Sequence, residues 1–200
     1  MIRTTRMAAC VAAVAALAAI GQTGPASASP VAHPAFSAQS VRGGLSAAQS
    51  AELQHQVDAT LAETGGRQVS ANRIELAGDA SVLIPVPGEK YARDLATGAG
   101  PAANARAAAL AECKYGNFCG WKGAEYTGKI WQRGTCGAKF EIPDGWNSGG
   151  SWWNHQTGSH RAKMYGKTGK VVFTTPPAND PNGSFDPHGN WGPVWRVQPC

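Results

Sequence analysis

Cysteine offers the most reactive chemistry in this chain, and five stand at positions 10, 113, 119, 136 and 200. As thiolates they could attack a carbonyl or hold zinc, and as bridged pairs they can do neither. Cys10 sits inside an apolar run from Met7 to Ile20, behind Arg3 and Arg6 and ahead of Ala26-Ser27-Ala28. A positive start, a short apolar stretch and a small-x-small site predict a secretory signal peptide over residues 1–28, cut after Ala28. At about 14 residues the run is too short to span a bilayer, and no other stretch predicts a membrane helix. Export leaves Cys113, Cys119, Cys136 and Cys200, an even number in an oxidising compartment. Zinc is the competing reading, but there is no Cys-x2-Cys and no histidine close to a cysteine pair. Four cysteines allow three pairings. The short spacing favours Cys113–Cys119, which leaves Cys136–Cys200 to close a loop of about 65 residues, a contribution of roughly 4 kcal/mol.

With its thiols bridged, the chain holds little else that reacts. There is no HExxH, GxSxG or glycine-rich phosphate loop. His155 and His160 lie five apart in a turn-rich segment without a carboxylate beside them, the pattern of ordinary loop histidines. Glu125, Glu141, Asp144, Asp180 and Asp186 could supply a glycosidase pair, but nothing in their spacing sets a separation. No enzymatic activity is expected. Residues 113–200 hold ten Lys/Arg against five Asp/Glu, and residues 1–112 hold eight of each. The excess favours an acidic surface, a phosphate-rich wall or a protein partner, and the lack of Lys/Arg blocks argues against nucleic acid.

These residues must be positioned by two unlike regions. Residues 29–91 read as a leader or propeptide-like region made of a helix and a hairpin. Ser46 is the expected N-cap of a helix with Leu53, Val57 and Leu61 on one face, stopped by Gly65-Gly66. Two β-like runs follow, Gln68–Leu76 and Ser81–Val86, turning at Gly78-Asp79. Residues 92–112, rich in Ala and Gly, read as either a flexible linker or a weak helix, and the linker is the one expected. From Cys113 the composition changes, and all seven tryptophans lie beyond it. Strands are expected at Phe118–Lys122, Gly128–Arg133, Ala138–Ile142, Ser151–His155, Arg161–Tyr165, Lys170–Thr174 and Val194–Gln198. Short strands at this spacing predict an all-β sandwich. Gly145-Trp146-Asn147 ahead of Ser151-Trp152-Trp153 is echoed by Gly189-Asn190-Trp191 ahead of Val194-Trp195. The echo divides the region at residue 156 into halves the size of two four-stranded Greek keys.

Trp121, Trp131 and Trp152 are assigned to the core of this region. Trp146, Trp153 and Trp191 sit beside Gly/Asn turns and are assigned to the surface, where an indole can anchor a protein or stack on a sugar. Thr174–Asn190 reads as a loop stiffened by four prolines, with Pro176, Pro177, Asn182 and Phe185 as contact candidates. A loop ordered before docking loses little entropy when it binds.

NFCGWKGAEYTGKIW resembles the opening of βγ-crystallin-like domains in secreted actinobacterial proteins grouped as peptidase inhibitor family I36, the metalloproteinase-inhibitor type. The residues carrying the resemblance are Cys113, Cys119, Trp121, Tyr126 and Gly128, then Cys136-Gly137 and SWWNHQTG at Ser151–Gly158. It implies a βγ-crystallin-like double Greek-key sandwich over 113–200. It also implies a secreted inhibitor that docks a rigid loop into the cleft of an extracellular protease, a metalloproteinase by analogy. The chain departs from the type in having only the first of two closely spaced cysteine pairs. The crystallin calcium motif is reduced to Asn147 and Ser151 in WNSGGS, with no carboxylate, so no cofactor is expected and these two are the residual calcium candidates. The alternative is a secreted cell-wall glycan-binding or antimicrobial module that uses exposed tryptophans.

Overall fold

The computed structural model describes residues 34–98, 100–179 and 181–200. The expected signal peptide, residues 1–28 with Cys10, lies outside the described residues. Among the described residues no helix is long and apolar enough to cross a membrane. Helix α1 (Pro34–Arg42) precedes α2 (Ala47–Thr64). The start of α2 is dictated locally by a capping box. The Ser46 hydroxyl accepts from the Gln49 amide, and the Gln49 side chain accepts from the Ser46 amide. Leu53 and Val57 are fully buried with Leu61 packed beside them, and Gly65, at φ 68°, ends the helix as its sequence required.

Eleven short strands build two antiparallel sheets among the described residues. The first three are β1 (Arg67–Gln68), β2 (Arg73–Glu75) and β3 (Ser81–Leu83). Beyond Cys113 come β4 (Asn117–Gly123), β5 (Thr127–Arg133), β6 (Phe140–Glu141) and β7 (Ser151–His155). The last four are β8 (Lys163–Tyr165), β9 (Val171–Thr174), β10 (Ser184–Asp186) and β11 (Arg196–Gln198). One sheet runs β1-β2-β3-β5-β4-β7-β10 and the other β6-β11-β8-β9. Strands β4–β7 and β8–β11 are two consecutive runs of four, divided near residue 156 where the tryptophan echo divides the sequence. In each run the third strand, β6 or β10, joins the sheet of the other run.

Two expectations are corrected here. Strand β10 lies inside the segment read as an all-loop connection, because the prolines around Ser184–Asp186 leave those three amides free to pair with β7. The segment read as a linker, 92–112, instead holds a 3-10 turn at Leu95–Thr97 and helix α3 (Ala105–Ala111), capped by Asn104. The leader strands also join the sheet directly, since β3 pairs with β5 through Ser81–Gln132, Val82–Trp131 and Leu83–Ile130.

The reason for both additions lies in the alternation of β4 and β5. Phe118 and Trp131 face a core shared with the second sheet and with Leu53, Val57, Ile74 and Val82 of the leader. Cys119, Trp121, Tyr126 and Ile130 face the other way into a second core with Leu83 and Ala92, flanked by Leu110 and Trp153. A strand apolar on both faces needs cover on both. The Ala-rich segment supplies it: Ala109 is fully buried, and small side chains let the helix lie close to the sheet.

Polar groups lock this cover in place. The buried Asn72 carboxamide donates to the carbonyls of Ile84 and Arg93 at 2.7 and 2.8 Å and accepts from the Leu95 amide at 3.1 Å. Arg73 bridges Asp94 at 3.0 Å and Glu112 at 2.8 Å. On the other side of β5, Lys129 Nζ donates to Thr60 Oγ1, and burial holds its pKa below the ordinary lysine value. Replacing Asn72 with leucine leaves three backbone groups buried without partners. We expect it to lower unfolding stability by about 3 kcal/mol, read as a lower denaturant midpoint at unchanged slope.

Disulfides join Cys113 to Cys119 and Cys136 to Cys200, with Cα separations of 5.9 and 4.7 Å. The first ties the end of the α3 cover to β4. The second ties the β5–β6 connection to the end of β11.

Candidate functional site

The β9 strand is one of the two edges of the smaller sheet, hydrogen-bonded to β8 alone. Its side chains are all exposed, including Val171, Val172 and Phe173 at 50%, 44% and 43%. An exposed apolar strand with one unpaired edge is a template for another chain. The chain then enters the proline-rich connection, which is held at several points. Buried Asn154 donates to the His160 carbonyl and to Thr175 Oγ1, and Thr175 Oγ1 accepts from the Ala162 amide. Ser184 Oγ donates to the Pro176 carbonyl, and Trp153 Nε1 donates to the Asn182 carbonyl at 2.7 Å. The Ser159 and Ala178 amides close a two-way pairing between this connection and residues 159–160. Pro176 and Asn182 are therefore exposed on a segment whose backbone is pinned.

Of the predicted contact residues, the structure brings Trp153, Asn182 and Phe185 together. They line a cleft of about 500 Å³ with Asn104, Arg106, Leu110 and Tyr126. Phe185 is 60% exposed, while Trp153 is half-buried and stacked on His155 at 4.0 Å. Pro176 and Pro177 lie on the β9 side of the same connection. Beneath the cleft the β4–β5 turn places Glu125 and Tyr126 in left-handed backbone, at φ 54° and 61°. Their amides are held by the Pro187 carbonyl and by Ser151 Oγ. Burial pushes the Tyr126 phenol above its ordinary pKa, with the Arg106 guanidinium pulling it back.

Trp146 and Trp191 are corrected from surface to core, at 4% and 1% exposure. Their rings meet at 5.3 Å, and Trp191 Nε1 donates to the Trp121 carbonyl at 2.7 Å. Neighbouring glycines suggested solvent, but here they clear space for the indoles. A Cβ at Gly120 would lie 2.8 Å from the Trp191 ring. The exposed tryptophan that sequence reasoning missed is Trp195, at 47%. The Val171–Phe173 edge was missed because a run of consecutive apolar residues carries no in–out alternation to read.

The calcium candidates are not a free pair of oxygens. The Ser151 hydroxyl donates to the Gly123 carbonyl and accepts from the Tyr126 amide, so it serves the hairpin. Asn147 is exposed. Among the described residues the one cluster of three metal-ligating side chains is Cys136, His160 and Cys200, whose sulfurs are bonded to each other. Three of the described carboxylates considered for hydrolysis are engaged locally. Glu141 pairs with Arg196, Glu125 with Arg106 and His188, and Asp186 accepts from the His188 amide. The Asp144 amide donates to Glu63, and Asp180 lies outside the described residues.

No curated protein and no solved structure matches the chain. Residues 106–170, from α3 to the β8–β9 turn, do match a family model, that of peptidase inhibitor family I36.

Proposed function

We propose that the protein is a secreted inhibitor of extracellular metalloproteinases, and that it offers the β9 edge and the pinned segment after it to the enzyme's cleft. The observation that carries this is Val171–Thr174, an exposed apolar strand with a free edge on a disulfide-tied sheet. A peptidase cleft binds extended chain through main-chain hydrogen bonds and side-chain pockets, which such an edge can satisfy without rearranging. The pinning of Thr175 and Pro176 keeps the ordering cost of docking low. Metalloproteinase preference rests on the resemblance of the Cys113–Trp131 segment. Export rests on the first 28 residues and the cystines.

The scaffold we assign is a βγ-crystallin-like double Greek key over residues 113–200. In support, both four-strand runs lend their third strand to the opposite sheet, and Trp146 and Trp191 precede β7 and β11 in matching places. The glycan-binding alternative keeps Trp153 and Phe185 at the cleft but loses the other two tryptophans to the core.

The test is a titration of the full chain against thermolysin-like metalloproteinases, with a serine protease for comparison. The expected result is tight inhibition of a metalloproteinase, weakened at least tenfold by Val172→Asp with no change in melting temperature. Tenfold corresponds to about 1.4 kcal/mol, a modest interface contribution. Inhibition that ignores Val172→Asp removes β9 from the site. No inhibition of any metalloproteinase by micromolar protein removes the reading.

A further inference from the structure

We propose that the outer face of the four-stranded sheet is an electrostatic selector that favours peptidases whose clefts are rimmed by carboxylates. This rests on the inhibitor reading and names the kind of enzyme it fits. Along these strands Met164 and Val197 point inward and are buried, so their neighbours Lys163 and Arg196 face out. The register sets Lys163 beside Gln198 and Thr174, and Arg196 beside Tyr165 and Glu141. Lys139 reaches over the Tyr165 ring at 4.0 Å, and Lys167 over the exposed Trp195 ring at 5.0 Å. Lys170 leads into β9, and Arg161 donates to the Thr175 carbonyl at its far end. The four strands carry a single carboxylate, Glu141, and Arg196 holds it at 2.9 Å. Among the described residues the four lysines have no ion pair.

Val171, opposite Tyr165, and Trp195, beneath Lys167, are exposed apolar side chains among these cations, whereas Phe173, opposite the inward Met164, turns to the Trp152 ring at 5.8 Å. An apolar centre inside a charged rim is the anatomy of a protein interface. An anionic polymer would use the lysines alone and leave those apolar side chains in water, so a protein is the partner favoured. Exposed charges act over roughly a Debye length, about 8 Å at physiological salt, and so speed encounter more than they hold the complex.

The experiment measures association and dissociation rates of the full chain with each metalloproteinase it inhibits, from about 20 to 500 mM NaCl. The variant is Lys163→Glu/Lys170→Glu, with unchanged melting as the check on folding. Retention on immobilised polyphosphate is measured in parallel. The expected result is an association rate that falls about tenfold across the salt range and about tenfold in the variant, with little change in dissociation. Inhibition with salt-independent association, or an undiminished rate in the variant, overturns the selector and leaves the inhibitor reading standing. Loss of polyphosphate retention in the variant without loss of peptidase association assigns the face to anionic polymer and also overturns it. If no peptidase is inhibited, the parent reading falls and takes the selector with it.

Discussion

Excised residues 113–200 are expected to show no cooperative unfolding transition, whereas the chain that keeps the leader melts as one unit. Trp121 and Ile130 are fully buried, and their cover comes partly from Leu83, Ala92 and Leu110. On the opposite face, Trp131 shares its core with Leu53, Val57, Ile74 and Val82. Excision also strips β5 of its β3 neighbour, cuts the seven-stranded sheet to four and bares the backbone edge of β5. Re-exposing large apolar side chains costs about 1.5–3 kcal/mol each. Four such groups, Trp121, Tyr126, Ile130 and Trp131, bring the loss to roughly 6–12 kcal/mol. A domain's whole stability is about 5–15 kcal/mol. The two disulfides constrain the excised chain but cannot replace a missing layer. Near-UV circular dichroism with a hydrophobic dye separates the outcomes. The expected fragment has a weak aromatic signal and binds dye, and a sharp melt close to that of the full chain would show that 113–200 is self-sufficient. Inhibition assays on this protein therefore belong on the leader-containing chain.

The parts of this architecture that follow from local chemistry are legible in the sequence. The Ser46 capping box, the Gly65 stop and the close spacing of Cys113 and Cys119 are decided within a few residues. The strand pair β4–β5 is marked by bulky side chains around Gly128, and the Trp146/Trp191 echo marks the halves. What could not be read is what lies across space. Residues 92–112 look featureless because an alanine helix seated on a sheet needs smallness, not periodicity. Glycine neighbours put Trp146 and Trp191 outside in the sequence, yet such glycines bear equally on a turn and on a cavity for an indole. The exposed Val171–Phe173 edge is apolar at consecutive positions, the pattern of a strand buried on both faces, and only its place at the end of the sheet order exposes it. The basic outer face was equally hidden, since it gathers Lys139 and Arg196 from strands and turns far apart in the chain.

Trp191→Ala is expected to destabilise the protein by about 5 kcal/mol. Truncating a buried tryptophan costs about 3–5 kcal/mol, and here a bond goes with it. Trp191 is 1% exposed, packs on Trp146 at 5.3 Å and donates from Nε1 to the Trp121 carbonyl. That carbonyl belongs to β4, at the end of the β4–β7 pairing, so the same ring that fills the core also anchors the sheet. Trp191→Phe keeps part of the volume but not the donor and should lose about half as much. The space is closed from the other side as well. A Cβ at Gly120 would stand 2.8 Å from Cζ2 of Trp191, and backbone pairing on both sides of Gly120 prevents retreat. Gly120→Ala alone should therefore cost about 1–3 kcal/mol by overpacking. Combined with Trp191→Phe the added methyl has room, so the double variant should be more stable than the sum of the singles predicts. Denaturant unfolding of the four proteins measures this coupling. Strict additivity would mean that Gly120 and Trp191 do not compete for one volume, and a loss under 2 kcal/mol for Trp191→Ala would remove the indole from the centre of the core.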